Sequence, residues 1–154
     1  REKTQVEVKR VDYAGATSAL PAPGAIEAIV AADAVIVCPS NPVTSIGPIL
    51  AVPGIADALE ATEATVLAVS PIIGGQAVSG PAGRLMAATG LEVSALGVAA
   101  AYAPWLDALL LDEVDAALAP RLEASGVRGI VADTLMRGRP DEIRLARRVL
   151  EAVA

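Results

Sequence analysis

Hydrophobic residues form short solid runs along the chain, separated by stretches in which apolar residues recur at helical spacing. Solid apolar runs are typical of strands buried on both faces, and they predict strands at residues 34–38, 65–69, 108–111 and 129–132. An alternating pattern predicts one more strand at residues 4–9. Helical spacing with Pro and Gly boundaries predicts helices at 25–32, 55–61, 80–89, 94–102, from Pro120 to Gly126, and from Pro140 onward. The pattern therefore indicates an α/β fold of three layers, Rossmann-like, with a mostly parallel sheet.

Polar or glycine-rich turns follow three of the predicted strands. The segment P-S-N-P-V-T-S follows the strand at 34–38, S-P-I-I-G-G follows the strand at 65–69, and Asp133-Thr134 follows the strand at 129–132. In open parallel sheets, ligands bind beyond the carboxyl ends of the strands. We therefore expect these three turns to share one crevice.

The first of these turns has the chemistry of an anion site. Its small polar side chains offer neutral hydrogen bonds, and the N–H groups of a helix beginning near Ser45 would add partial positive charge. Pro39 and Pro42 stiffen the loop. The segment predicts a phosphate-type ligand bound by Asn41, Thr44 and Ser45. The alternative is structural, because Thr44 or Ser45 could simply cap the helix.

The other two turns are weaker candidates. Gly74 and Gly75 would let backbone amides approach a ligand, although a Gly-Gly pair is also an ordinary turn and the Walker sequence is absent. The loop at 70–83 is long for a strand-to-helix connection and could fold over a ligand. Asp133 and Thr134 could contact metal or substrate, or form a structural hydrogen bond. The carboxylates that flank the strand at 108–111 are interpreted as solvent-facing or capping residues, namely Asp107, Asp112 and Asp115.

Composition narrows the classes of function. The 154 residues fit one domain, 54% are hydrophobic, and the net charge of -6 argues against a nucleic-acid-binding surface. A late arginine cluster is interpreted as a solvated helix face, opposite an apolar face formed by Ile143, Ala146, Leu150 and Val153. The mean hydropathy is +0.55, but Pro, Gly and acidic residues interrupt every apolar run, so no membrane span is predicted.

Two scarce residue types constrain the chemistry. A single cysteine, Cys38, excludes an internal disulfide, is expected to pack in the interior, and fits a reducing, cytoplasmic location. The chain has no histidine, so the usual general base is missing. Catalysis would need carboxylates, hydroxyls, backbone groups or a bound metal, and no residue is assigned as catalytic.

Five motifs, taken in order, resemble one family. P-S-N-P-V-T-S-I-G-P-I-L, A-V-P-G-I, A-V-S-P-I-I-G-G, V-S-G-P-A-G-R-L-M and A-D-T-L-M are similar to segments of the 2-phospho-L-lactate transferases of coenzyme F-420 biosynthesis. The resemblance runs from about residue 32 to the C-terminus. It implies transfer of a phospholactyl or phosphoenolpyruvyl group from a guanosine-diphosphate-linked donor to the deazaflavin FO, with release of GMP and use of Mg²⁺.

The resemblance also implies roles for individual residues. Ser40, Asn41, Thr44 and Ser45 would bind the donor phosphates, Gly74 and Gly75 would present amides along the same cleft, and Asp133 and Thr134 are weaker candidates. A homodimer is a further expectation. The sequence departs from the family at Ala56 and Gln76, where a basic residue is frequent.

The chain looks like the C-terminal portion of a larger α/β domain. Residues 1–154 match none of the family's glycine-rich first half, in which its metal-binding Asp is expected to lie. Two alternatives remain open. One is a nucleotide-sugar-binding regulator of the gluconeogenesis-factor type, and the other is an inactive fragment.

Overall fold

The computed structural model describes residues 8–154 and contains a four-stranded parallel sheet. In spatial order its strands are β1 (Ala34–Val37), β2 (Thr65–Val69), β5 (Ala108–Asp112) and β6 (Arg128–Ala132). All four were predicted within one residue at each end, because solid apolar runs between turn residues are a strong signal. The predicted strand at 4–9 lies mostly outside the described residues, and Val8 and Lys9 are not in a strand.

Helices cover both faces of the sheet, which confirms the three-layer α/β prediction. They are α1 (Ala25–Val30), α2 (Gly47–Leu50), α3 (Ile55–Ala61), α4 (Ala82–Ala88), α5 (Ala95–Tyr102), α6 (Ala119–Ala124) and α7 (Arg139–Val153). Side chains alternate along each strand. Val66 and Leu109 therefore enter a core formed with α3 to α6, whereas Leu67 and Leu110 pack on α7.

The predicted long loop after β2 contains a small hairpin. Strands β3 (Ile72–Ile73) and β4 (Gln76–Ala77) pair antiparallel around Gly74 and Gly75. Both glycines have positive φ, 57° and 73°, as a tight two-residue hairpin turn requires. Strands of two residues are too short to leave an alternating pattern in the sequence.

Two packing predictions were wrong. Cys38 is exposed, not interior, because it follows the edge strand β1. On α7, Leu145 and Val149 are buried, whereas Ile143 and Leu150 are 43% and 59% exposed. The helix carries two apolar stripes, and the sheet packs against the one that contains Leu145 and Val149. The arginines of α7 are exposed, as predicted.

Among residues 8–154, no single helix has the length and apolar character needed to cross a membrane. The bent pair Pro42–Leu50 and Ile55–Ala61, with an angle of 84°, meets those criteria by length and composition only. Val43, Ile55 and Leu59 of this pair belong to the buried core.

Candidate functional site

A cavity of about 410 Å³ lies at the carboxyl ends of the strands. Segments following β1, β2 and β6 form its wall, as the sequence predicted. Five of the eight predicted site residues line it, namely Ser40, Asn41, Thr44, Ser45 and Thr134. Gly74, Gly75 and Asp133 are not among its lining residues.

The loop after β1 is ordered by Asn41. Its side-chain oxygen Oδ1 accepts hydrogen bonds from the N–H groups of Val43 (2.9 Å) and Thr44 (3.2 Å). Its backbone oxygen accepts from the N–H groups of Ser45 (3.0 Å) and Ile46 (3.1 Å). The helix therefore begins at Pro42 and not near Ser45, and its cap is Asn41 and not Thr44 or Ser45.

The segment Pro42–Ile46 is a wide π-helical turn that continues into α2. Such turns are rare in proteins, and those that do occur are often found at functional sites. Because Asn41 satisfies the first four N–H groups, these groups are not free for an anion, contrary to the expectation that helix amides would bind it. An anion here would bind mainly through side chains.

The hydroxyl groups of Ser40, Thr44 and Ser45 supply that chemistry. Within residues 8–154 they make no side-chain hydrogen bond, and Thr44 and Ser45 are exposed toward the cavity they line. An uncommitted hydroxyl can donate to a phosphate or carboxylate oxygen without breaking an internal bond.

Tyr13, which precedes the π-helical turn by about 30 residues, stabilises it through a side-chain hydrogen bond. Its Oη donates to the backbone oxygen of Val43 over 2.5 Å, and partial burial raises the pKa of its hydroxyl. A Cβ added to Gly47 would overlap this Oη and would lie 2.9 Å from the backbone oxygen of Pro42. The close approach requires glycine at position 47. Sequence reasoning missed Tyr13, because nothing in the local pattern connects it to a turn 30 residues later.

The turn after β2 is fixed by Ser70, which is buried and lines the cavity. Its hydroxyl accepts from the N–H of Ile72 (3.1 Å) and donates to the backbone oxygen of the same residue (2.9 Å). The hairpin beyond it places Gly75 in an adjoining open groove of about 690 Å³, which shares Gly80 and Pro81 with the cavity. The N–H of Gly74 donates to Asp115 (2.9 Å) and is therefore committed to an internal bond.

Thr134 reaches the cavity but is engaged by Asp112 at the end of β5. The Oδ2 of Asp112 accepts from the N–H (2.9 Å) and hydroxyl (3.1 Å) of Thr134, and Oδ1 accepts from the N–H of Val114 (3.1 Å). Burial alone would raise the pKa of Asp112, but these hydrogen bonds, aided by Arg137, lower it below its usual value. Asp112 caps the short helical turn Glu113–Leu118, which is one of the two roles predicted for it, and it is buried, so the other predicted role, a solvent-facing residue, is wrong.

Asp133 lies in an ion-pair cluster beside the cavity. Its Oδ2 is 2.9 Å from Nη2 of Arg144 and 3.4 Å from Nη1 of Arg137. Arg144 also pairs with Asp141, whose pKa is lowered first by the N–H of Arg137 and then by Arg144. These contacts connect the turn after β6 to the start of α7. Asp133 therefore has the structural role that the sequence analysis gave as the alternative to a ligand contact.

The cavity wall is neutral. Its lining residues include no Asp, Glu, Lys or Arg, and within residues 8–154 no three acidic, His or Cys side chains cluster as metal ligands. Mg²⁺ prefers carboxylate oxygens. The described residues therefore do not fit Mg²⁺ by themselves. Arg84, in the adjoining groove, is the cation nearest along the chain to the shared residues Gly80 and Pro81.

A parallel α/β sheet with a polar crevice at the carboxyl ends of its strands places the chain in the class of open α/β proteins, which bind their ligands at this edge. Within that class, the sequence model described as "2-phospho-L-lactate transferase CofD" matches residues 1–148. The chain belongs to this family.

Individual relatives agree with the family model. The chain is 47% identical over 144 residues to a 2-phospho-L-lactate transferase of Methanosarcina barkeri, covering 94% of this chain and 46% of the relative. It is 42% identical over 151 residues to the 2-phospho-L-lactate transferase of Methanocaldococcus jannaschii, covering 98% of this chain and 47% of the relative. It is 41% identical over 150 residues to a protein of Streptomyces griseus named phosphoenolpyruvate transferase, covering 97% of this chain and 47% of that protein. The chain thus spans about half the length of the relatives it matches.

A solved structure supports the fold. The Bacillus halodurans protein BH3568, a UPF0052 family member, superposes with a TM-score of 0.55 at 20% identity over 87% of this chain and 47% of that protein. At this identity the likeness concerns the fold alone.

Proposed function

We propose that the chain forms the donor-binding portion of a 2-phospho-L-lactate transferase that acts in coenzyme F-420 biosynthesis. In this reaction the hydroxyl oxygen of the deazaflavin FO bonds to the phosphorus of the transferred group, the bond from that phosphorus to the bridging oxygen breaks, GMP leaves with that oxygen, and the hydroxyl proton is released to solvent. The transferred group is phospholactyl or phosphoenolpyruvyl, since the relatives carry both kinds of name. The acceptor, the release of GMP and a cytoplasmic location are parts of the proposal.

The observation that carries the proposal is the cavity with its uncommitted hydroxyls. Ser40, Thr44 and Ser45 converge on one space of about 410 Å³ without internal partners among the described residues. Hydroxyls that lie unpaired in a crevice favour a ligand rich in acceptor oxygens, and a phosphodiester-linked acid is such a ligand. These side chains would orient the donor, so that positioning is their contribution to the rate.

Charge neutralisation must come from elsewhere. The cavity wall is uncharged, and phosphoryl transfer needs cations near the phosphates. Arg84 is the cation on the adjoining groove, and Gly75 and Gln76 line that groove with it. Any Mg²⁺ would need ligands beyond the described residues, in keeping with the expected metal-binding Asp of the family's other half.

Ligand-induced thermal stabilisation tests the donor assignment on the chain itself. A ligand that binds only the folded state raises the melting temperature with its concentration. We expect GDP to raise it, and UDP-glucose to raise it less at the same concentration. A larger shift with UDP-glucose would contradict the proposal and favour the nucleotide-sugar-binding regulator. No shift with either nucleotide would favour the inactive fragment.

Transfer itself is measured by release of GMP in the presence of donor and FO. We expect turnover when residues 1–154 are part of a chain of family length, and little from residues 1–154 alone. Turnover that persists unchanged after Thr44→Val and Ser45→Ala would contradict the role of the hydroxyls.

A further inference from the structure

Two arginines lie together in the ion-pair cluster beside the cavity, and their contacts differ in length. Nη2 of Arg144 is 2.9 Å from Oδ2 of Asp133, and its Nη1 pairs with Oδ1 of Asp141. Nη1 of Arg137 is 3.4 Å from Asp133 and 3.9 Å from Asp141. Charge-assisted hydrogen bonds between such groups measure about 2.7–2.9 Å. Arg144 therefore makes the close contacts of the cluster, and the guanidinium group of Arg137 makes only long ones.

The backbone of Arg137 is fixed, although its side chain is held only weakly. Its N–H donates to Oδ2 of Asp141 over 2.9 Å, which anchors the residue just before α7. Its side chain is 61% exposed, and both carboxylates that it faces have Arg144 as their closer partner. The guanidinium group can therefore turn away from the cluster while Asp133 and Asp141 keep a paired charge.

The Arg137 side chain also lies close to the cavity wall. Its Nη1 is 3.5 Å from the backbone oxygen of Leu135, and both Leu135 and Met136 line the cavity. The pKa of Asp112 is raised by burial and lowered by hydrogen bonds, chiefly from Thr134 of the same wall, and the charge of Arg137 lowers it further. A change of side-chain rotamer, with no movement of the backbone, would bring this charge to the mouth of the cavity.

A ligand with phosphate groups needs a cation at this place. The hydroxyls of Ser40, Thr44 and Ser45 can orient phosphate oxygens, but the residues that line the cavity carry no charge. Arg84 lines the adjoining groove and is not part of the cavity wall. A planar guanidinium group can bind two phosphate oxygens at once, which makes arginine well suited to such a site.

We propose that Arg137 binds and neutralises the donor phosphates in the cavity, exchanging its long contacts with Asp133 and Asp141 for close contacts to phosphate oxygens. Asp133 then competes with the phosphate for the same guanidinium group. The inference rests on the proposed function, because it requires a phosphate-bearing ligand in this cavity.

The alternative is that Arg137 only stabilises the turn after β6. The two roles predict opposite effects of Asp133→Asn on anion binding. If Asp133 is a competitor, its neutralisation frees the guanidinium group and raises the affinity for a phosphate. If Arg137 and Asp133 are only structural partners, the same change lowers the affinity or leaves it unaltered.

The experiment measures binding of inorganic diphosphate and of GDP to residues 1–154 by calorimetry, at low and at high salt. Arg137→Gln should weaken both ligands about tenfold, because a charge-assisted contact is lost, and should reduce the effect of salt on affinity. Arg137→Lys keeps the charge without the planar fork and should recover part of the affinity. Asp133→Asn should strengthen binding about threefold, and this gain should disappear when Arg137→Gln is also present.

Arg139→Gln is the matched control, because it removes the same charge two residues away. Arg139 is exposed, does not line the cavity, and takes part in none of the ion pairs of Asp133 and Asp141. We expect both affinities to stay within about twofold of the wild-type values, since solvent and salt screen a distant exposed charge. Equal losses in Arg137→Gln and Arg139→Gln would overturn the proposal. An unchanged or lowered affinity in Asp133→Asn would overturn it too, and this variant leaves Arg137 itself intact.

The two ligands separate this inference from the proposed function. Binding of diphosphate that depends on Arg137, without binding of GDP, would support the role of Arg137 and contradict a guanosine-linked donor. Binding of GDP that is weakened by Thr44→Val and Ser45→Ala but not by Arg137→Gln would support the donor site and overturn the inference. Binding of neither ligand to the wild-type chain would overturn both.

Discussion

The loop after β1 and the turn after β6 reach the same cavity, yet they use their polar side chains in opposite ways. In the first, Asn41 accepts the hydrogen bonds of the turn's backbone N–H groups, and the hydroxyls of Thr44 and Ser45 are left without internal partners among the described residues. In the second, Thr134 and Asp133 are bound by Asp112 and by arginines. Similar residues at equivalent strand ends are thus ready for a ligand in one turn and structural in the other, and the difference lies in their neighbours.

The largest effect should come from removing Asp112. Asp112→Ala leaves the N–H groups of Val114 and Thr134 and the buried Thr134 hydroxyl without their acceptor. We expect the free energy of unfolding to fall by about 3 kcal/mol, measured by urea denaturation. A loss below about 1 kcal/mol would mean that the turn after β6 does not depend on this carboxylate.

Acid should expose the same dependence. The pKa of Asp112 is lowered in the folded state, so its contribution is present above the ordinary value of 3.8 and is lost as the pH falls through the lower folded value. We expect the free energy of unfolding of the wild-type protein to decrease when the pH is lowered below about 4. In Asp112→Asn, the free energy of unfolding should depend less on pH in this range. Identical acid profiles for the two proteins would contradict the shift.

Gly47→Ala tests whether the loop after β1 is held by close packing. The added methyl group would overlap Tyr13 and the backbone oxygen of Pro42, at a cost of about 2 kcal/mol in the free energy of unfolding. Tyr13→Ala should remove part of this penalty. The loss of unfolding free energy in the double variant is therefore expected to be smaller than the sum of the losses in the two single variants. Strict additivity would show that Tyr13 does not cause the strain.

Thr44→Val and Ser45→Ala should weaken GDP binding without affecting the fold. Each removes a hydroxyl with no internal hydrogen bond among residues 8–154, so the melting temperature should stay within about 1 °C. Loss of a hydrogen bond to a charged phosphate should lower affinity about tenfold per variant, measured by calorimetry. Thr17→Val is the matched control, because Thr17 is exposed and outside the cavity.

Asp133→Asn should have the smallest effect. Its partners Arg137 and Arg144 are 61% and 41% exposed, and solvent screens such pairs. We expect a change below about 1 kcal/mol that shrinks further in 1 M salt. A large loss of GDP affinity would instead give Asp133 the ligand role that its position suggested.

The layers of the fold could be read from the sequence, because they depend on local patterns. Helix α3 and strand β2 were predicted residue by residue, since Pro53-Gly54 and the apolar run leave few alternatives. The buried face of α7 could not be predicted, because Leu145 with Val149 and Ala146 with Leu150 are equally regular stripes. Only the position of the sheet distinguishes them.

Part of the candidate site could also be predicted from local sequence patterns. Ser40, Asn41, Thr44 and Ser45 lie in one continuous segment, so position after a strand was enough to find them. Assigning Asp133 and Thr134 required knowing their partners, and Asp112 is 22 residues from Thr134. Long-range hydrogen bonds of this kind leave no trace in local composition.

Asn41 has a consequence for the divergence of substrate choice. Asn41 satisfies the amides of its own turn, so the hydrogen bonds that shape the loop do not involve the side chains at positions 44 and 45. Under the proposed function, contacts of these side chains to the donor could then change by single substitutions without a stability cost that selection would remove. A family in which one fold carries both 2-phospho-L-lactate and phosphoenolpyruvate transferase names is what such a decoupled loop would permit.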